Sequence, residues 1–383
     1  MKGFATLEGT AGYKARFVKE AATDLLRTLG SVPELYPGHF RLKNNLWFSS
    51  IGIGSYLGEP DAETDRLYQE ALKEALLSGI NVIDSAINYR CQQSERAFGK
   101  ALCELIREGK IKREEVIVCT KGGFIPFDGD YPADSGNYIK KTYVETGILK
   151  PDDLAQGCHA MSPSYLEDQL QRSLTNLGLE TIDIYYLHNP ETQLEDIDRP
   201  AFLGRMRRAF EWFEKKVVEG KIQMYGTATW SGYRVPREEA AHLSMEELTV
   251  IAREAGGPSH HFKSVQLPFN LAMPEAWILP NQSFGGNLIP FLGVAEKYGM
   301  TVVGSASLLQ AKLTRPLPEQ LVRYFKPLQK SSQQSLQFAR SVSGMTTSLV
   351  GMKSKAHVQE NLETSKVPPL TEEQLFSMFH QAE

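Results

Sequence analysis

The chain has 383 residues, with 42 basic against 46 acidic side chains and a formal charge of −4. That length exceeds the ~250 residues typical of one α/β barrel and supports a sizeable core. The balanced charge, with no long basic run, argues against a nucleic-acid partner. The start MKGFATLEGT has no apolar signal core and no stretch of ~18 apolar residues follows, so a cytoplasmic protein without a membrane span is expected.

The first strand signal is the segment 49–54, so residues 1–48 read as an N-terminal extension. Helix-period spacing over 64–77 leads to the β-branched run Asn81-Val82-Ile83-Asp84, and the same spacing over 94–106 leads to a second run, 116–121. A long insertion, 122–163, then precedes helical spacing at 164–177; its aromatic residues either furnish a pocket or bury a satellite core of their own. Strand signals continue at 182–188, 222–227, 264–267, 301–304 and 348–351, separated by helical ones at 202–219, 244–255, 288–298 and 333–341. Eight strands alternating with helices predict a closed (β/α)8 TIM barrel in one domain, 49–362. A C-terminal segment, 363–383, carries a last helix at 371–380.

Asp84, Tyr89, Lys121 and His188 each fall at or just beyond the end of one of these strands. Parallel strands align their C-terminal ends, and in a closed barrel that end is the catalytic face, so the four residues are expected in one site. A free tyrosine titrates near ~10, and an ammonium group beside it stabilises the phenolate and lowers that value. Lys121 is the candidate for that charge and Asp84 for its counter-ion, while His188 can donate a hydrogen bond that orients and polarises a carbonyl. The set suits proton delivery to a developing alkoxide. Singly, each residue has a plainer reading as a strand-end cap, a solvated lysine, a packed ring or a structural histidine.

Other signals are exclusions. Gly52 and Gly54 are followed by Gly58, which misses the G-x-G-x-x-G spacing, so a Rossmann domain is rejected. Cys91, Cys103, Cys119 and Cys158 contain no C-x-x-C pair, and His260 and His261 point opposite ways on an extended segment, so no metal site is expected.

Read together, several segments resemble one family in order. They are Gly79-Ile80-Asn81-Val82-Ile83-Asp84-Ser85-Ala86 with Tyr89, Ser94 to Gly99 (SERAFG), Cys119-Thr120-Lys121, Ser173-Leu174, Leu177-Gly178-Leu179, Asp183, and Leu187-His188-Asn189-Pro190. That order is similar to the aldo-keto reductases, and the likeness runs from about Ser49 to Leu362. The resemblance implies Tyr89 as general acid/base tuned by Lys121 and Asp84, His188 as substrate orienter, and a nicotinamide cofactor, NADP(H) in preference to NAD(H). It implies Gly54, Ser55 and Tyr56 near the nicotinamide, Gln266 on its carboxamide, and the loop Ser305, Ser307, Leu308 and Gln310 along the pyrophosphate. Lys353, Ser354, Gln359 and Asn361 fall at the adenosine-phosphate site. Ala228-Thr229 stands where the family usually has Ser-Asn, which removes one carboxamide ligand that Asn189 can replace, and Ser305 stands where an aromatic ring usually stacks.

The expected substrate is a small aldehyde, ketone or sugar-like molecule, contacted by Trp230 and by Phe124 of the insertion. Two other readings are carried beside it. One is a cofactor-binding regulatory subunit that acts through a partner with little turnover, and the other a redox-neutral lyase or isomerase with tightly held cofactor.

Overall fold

In the computed structural model of the chain, residues 1–18 and 34–379 are described. Eight parallel strands close into a barrel: β1 (Ile51–Gly54), β2 (Val82–Asp84), β3 (Ile117–Gly122), β4 (Ile182–His188), β5 (Ile222–Ala228), β6 (Phe262–Pro268), β7 (Thr301–Ser305) and β8 (Thr347–Gly351), with β8 pairing back onto β1. Each is followed by a helix: α1 (Ala62–Leu77), α2 (Gln93–Arg107), α3 (Pro163–Leu177), α4 (Arg199–Val218), α5 (Met245–Gly256), α6 (Phe291–Lys297), α7 (Ser331–Ser341) and α8 (Lys355–Leu362).

The strands are near-continuous apolar runs because both faces are buried. Val82, Ile117, Ile184, Tyr186, Val303 and Leu349 fill the barrel interior. Ile83, Val118, Tyr185, Leu187, Tyr225 and Val302 belong to the larger cluster packed under the helices. Polar residues set the helix starts. Asp61 accepts from the Thr64 backbone N–H at 2.7 Å to begin α1, and Asp198 accepts from Ala201 N–H at 2.9 Å to begin α4.

The extension closes the bottom of the barrel. After a helix over Leu7–Ala15, the strands Phe40–Lys43 and Leu46–Ser49 form a hairpin around Asn44-Asn45, both left-handed. Leu46, Phe48 and Ala5 join the interior cluster as its floor. Asp183 fastens this end. Its carboxylate accepts from Ala5 N–H (2.7 Å), Gln223 Nε2 (2.7 Å), Val118 N–H (2.8 Å) and the buried Arg113 guanidinium (2.8 Å).

Several boundaries differ from the sequence reading. The single strand expected over 49–54 is two: Ser49 ends the hairpin, and Ser50 breaks the run by donating its backbone N–H to the His39 carbonyl. The helix expected at 288–298 begins at Phe291, because Gln282–Phe284 and Asn287–Ile289 pair as a hairpin over Gly285-Gly286, both with positive φ, and Pro290 then caps α6. Alternating residues around a Gly-Gly pair were the available signal. The last helix spans Glu372–Phe379, and His380 lies outside the described residues. In the insertion, Ile125, Tyr143, Leu149, Ala160 and Tyr165 form a separate core with Tyr138 against it. Of its rings only Phe124 lines the central cleft. Among the described residues no helix is long and apolar enough to cross a membrane.

Candidate active site

Strand register brings the candidate residues together. Gly54 lies beside Asp84 across β1 and β2, and His188, Ala228 and Gln266 lie level across β4, β5 and β6, all at the carboxyl end of the barrel. Asp84, Tyr89 and His188 line a cleft of about 830 Å³ that continues past Gln266 and Ser307 to Asn361. Lys121 stands behind them with no exposure; its ammonium donates to Asp84 Oδ2 at 2.6 Å and to the Ser85 carbonyl at 2.7 Å, and lies 4.8 Å from the centre of the Tyr89 ring.

The electrostatics follow from that burial. For Lys121, loss of solvent favours the neutral amine, but Asp84 and Tyr89 outweigh it and hold the pKa above its ordinary value, so the group stays cationic. Asp84 is pushed up by burial and drawn back in part by Lys121 and by the Gln266 amide, which donates to Oδ1 at 2.8 Å. Burial of the phenolate raises the Tyr89 pKa most; Lys121 pulls it down, as the sequence leads one to expect, and Asp84 adds to the rise, so the net shift is upward. Tyr89 is therefore a protonated donor at neutral pH. Burial and the charge of Lys121 drive His188 well below its ordinary pKa, which leaves a neutral imidazole suited to donating one hydrogen bond.

Tyr89 is aimed by an unusual turn. Arg90, Cys91 and Gln92 all have positive φ (49°, 52° and 71°), and Arg90, 3% exposed, ties them down by donating to the Glu59 carbonyl at 2.8 Å and pairing with Asp65 at 2.6 Å. No spacing in the sequence announces this turn. The rings of Tyr56 (5.0 Å) and His188 (5.9 Å) meet Tyr89 edge-on. Trp230, half exposed at the rim, begins a loop whose first backbone N–H groups converge on the buried Glu191 carboxylate, at 2.7 Å from Trp230 and 3.0 Å from Ser231. Glu191 was not anticipated either.

Of the remaining candidates, Gly54, Ser55, Tyr56, Asn189 and Gln266 line the catalytic half of the cleft, and Ser305, Ser307, Leu308, Gln310 and Asn361 line its extension. Ala306, Leu309, Gln310 and Ala311 are left-handed, so the chain after β7 coils beside the cleft; Ser307 Oγ and Asn361 Oδ1 are buried there without a partner. Three candidates stand elsewhere. Gln359 turns outward to donate to Glu74 at 3.1 Å, Ser354 caps α8 by accepting from His357 N–H at 3.3 Å, and Lys353 is exposed, its stem running over Gly58. His357 and Glu360 line the far end in their place; neither is marked in the sequence by more than its position on α8. Among the described residues no three His, Cys, Asp or Glu side chains are grouped to hold a metal.

Fold and site thus define a closed (β/α)8 barrel with a Tyr-Lys-Asp-His cluster at its carboxyl face. A profile of the Aldo/keto reductase family matches residues 50–251, and the chain belongs to that family. It is 25% identical over 232 residues, 60% of this chain and 55% of the relative, to a putative voltage-gated potassium channel subunit beta of Schizosaccharomyces pombe. It is 28% identical over 191 residues, 48% of this chain and 49% of the relative, to an NADH-specific methylglyoxal reductase of Escherichia coli. The chain spans about half the length of these curated relatives. The fold is shared with an aldo/keto reductase from Klebsiella pneumoniae solved with NADP and acetate (TM-score 0.59, 19% identity, 90% of this chain and 94% of that one). It is shared equally with the holo form of an aldo-keto reductase from Bacillus halodurans (0.59, 22%, 90% and 96%).

Proposed function

We propose that the protein is an NADP(H)-dependent oxidoreductase that interconverts the carbonyl and hydroxyl of a small aldehyde, ketone or sugar-like substrate. The observation that carries this reading is the fully buried Lys121 ammonium, held between Asp84 and the Tyr89 ring at the floor of the cleft. Burying a charge costs several kcal/mol, and a fold has little reason to bear that cost beneath a tyrosine unless the phenol exchanges a proton.

The cleft suits a dinucleotide. Its volume lies within the ~300–1,000 Å³ of ligand sites, and its length is lined with unpartnered hydroxyl and amide oxygens at Ser307 and Asn361. Gln266 and Asn189 would hold the carboxamide end, and Ser307, Leu308 and Gln310 the phosphates. The nicotinamide, when bound, supplies or accepts the hydride. His188 then donates to the substrate oxygen and fixes its direction. Tyr89 gives its phenolic proton to that oxygen as negative charge builds there, and Lys121, kept cationic by Asp84, stabilises the phenolate left behind. In the reverse direction the same phenolate takes the hydroxyl proton. Tyr56, Phe124 and Trp230 exclude water at the mouth.

Structural neighbours from Klebsiella pneumoniae were solved with NADP and with NADPH, and the Escherichia coli relative is NADH-specific. The preference for NADP(H) rests on Lys353, which the family resemblance puts at the adenosine phosphate, where an ammonium can pair with a 2′-phosphate; the side chain is exposed and stands outside the cleft lining. Exchanging Tyr89→Phe tests the central role: carbonyl reduction should fall by about 10²–10⁴-fold while NADPH affinity, read by fluorescence quenching, holds. Turnover at the wild-type rate would overturn the assignment.

A further inference from the structure

The insertion between β3 and α3 reaches the site through one buried side chain. His159 has no exposure; its Nε2 lies 2.7 Å from the His188 carbonyl oxygen, and its Nδ1 lies 2.8 Å from Gln193 Nε2. Gln193 Oε1 in turn receives Arg205 Nη1.

The direction of every bond in this chain follows from its last member. A guanidinium only donates, so the Gln193 oxygen must face Arg205 and its amide nitrogen must face His159. Nδ1 therefore accepts, the ring proton sits on Nε2, and His159 donates to the His188 carbonyl as a neutral imidazole. Burial agrees, holding the His159 pKa down to about 4.

His159 also frames the ring that packs on His188. Phe124 meets the His159 ring edge-on at 5.3 Å and the His188 ring at 5.1 Å, and Phe124 and His159 are paired as an antiparallel bridge. Gly123, with φ of +146°, lets the chain leave β3 across that carbonyl; a Cβ there would stand 2.7 Å from His188 O and 2.9 Å from His159 Nε2. His188 Nδ1 is buried without a partner. The direction of the His188 imidazole thus depends on its backbone, on Phe124 and on the Tyr89 ring, and His159 touches the first two.

We propose that His159 is a positioning residue for the reaction, acting through His188: the Arg205–Gln193–His159 chain sets the angle at which the His188 imidazole meets the substrate oxygen. The proposal rests on the reductase reading for its kinetic consequence but not for its structural one. No group of the barrel's own strands makes this contact; it comes from the insertion.

Two substitutions in the full-length protein separate positioning from simple packing. His159→Leu keeps the bulk and removes both hydrogen bonds. His159→Gln can restore both, its oxygen accepting from Gln193 and its nitrogen donating to the His188 carbonyl. His159→Leu should lower kcat by about tenfold to a hundredfold, the range a misplacement near 1 Å produces. NADPH affinity should stay near the wild-type value, and the His188 ring 15N signals in NMR should shift. His159→Gln should recover most of the rate and the wild-type His188 signals. The proposal is overturned if the two variants are equally impaired, or if His159→Leu loses only thermal stability while kcat and the His188 signals stay at wild type. A wild-type protein that reduces no carbonyl would sink the reductase reading instead, and the His188 signals of the two variants would still decide this one.

Discussion

Lys121→Met removes one charge and leaves the neighbouring volume nearly filled. Lys121 stands 4.8 Å from the centre of the Tyr89 ring, and a unit charge at that distance in an effective dielectric near 20 is worth about 3.5 kcal/mol, or roughly 2.5 pH units on the phenol. The Tyr89 pKa, already raised by burial, should climb further by about that much, making the phenol a weaker donor. The assay is the pH profile of kcat/KM for carbonyl reduction under saturating NADPH. The plateau should fall by about 10²–10⁴-fold. The alkaline limb, where reduction fails because Tyr89 has lost its proton, should move to higher pH. Asp84 would also lose its partner in a buried site, which typically costs ~3–5 kcal/mol of stability, so urea unfolding should accompany the kinetics. A plateau unchanged from wild type, or an alkaline limb that moves down, refutes the role given to Lys121.

Lys353→Ala should weaken NADPH about fivefold, the scale of one exposed ion pair near 1 kcal/mol, and leave NADH unaffected in fluorescence titrations; equal losses would remove the 2′-phosphate assignment. Asp183→Asn replaces an acceptor of four donors with a group that must turn an amide toward some of them and strands the buried Arg113, so unfolding free energy should drop by roughly 3–5 kcal/mol; a loss under about 1 kcal/mol would mean the floor of the barrel is held otherwise. His39 is fully buried, with its pKa depressed to about 3 by loss of solvent and by the charges of Arg340 and Arg41. The unfolded chain takes up that proton below about pH 6.5 while the folded one does not. Stability is therefore complete above 6.5 and is lost as pH falls toward 3, at up to ~1.4 kcal/mol per pH unit for this group. His39→Gln should flatten that slope by about one proton; an identical slope would exclude His39 from the acid response.

How far the sequence reached depended on whether a feature was local. Strand and helix order followed from periodicity because burial on both faces writes an unbroken apolar run into every barrel strand, as in Ile182–His188. Asp84, Lys121 and His188 were visible because a strand end is a fixed place in a barrel, whereas Gln266 followed from the family resemblance alone. Boundaries failed where a turn competed with a helix, as at Gly285-Gly286. Lys353, Ser354 and Gln359 could be assigned to a region but not to a direction. On α8 a step of one residue rotates the side chain by about 100°, and that rotation sends Gln359 to Glu74 while His357 and Glu360 face the cleft.

The sign of the Tyr89 shift shows the same divide. The sequence supplies the residue types and hence the attraction between phenolate and ammonium, but desolvation depends on what surrounds the ring, and only the packed cleft supplies that. The sequence by itself determined the repeat of strand and helix, the closed barrel, the family and the four-residue cluster, because each is encoded in short-range pattern or in strand-end position. The tertiary structure alone decided the balance between burial and charge at Tyr89, the left-handed turn pinned by Arg90, and the long-range chain from Arg205 to His188. Those depend on contacts between residues from 12 positions apart, at Arg205 and Gln193, to 99, at Tyr89 and His188, and no local pattern records which of them will meet.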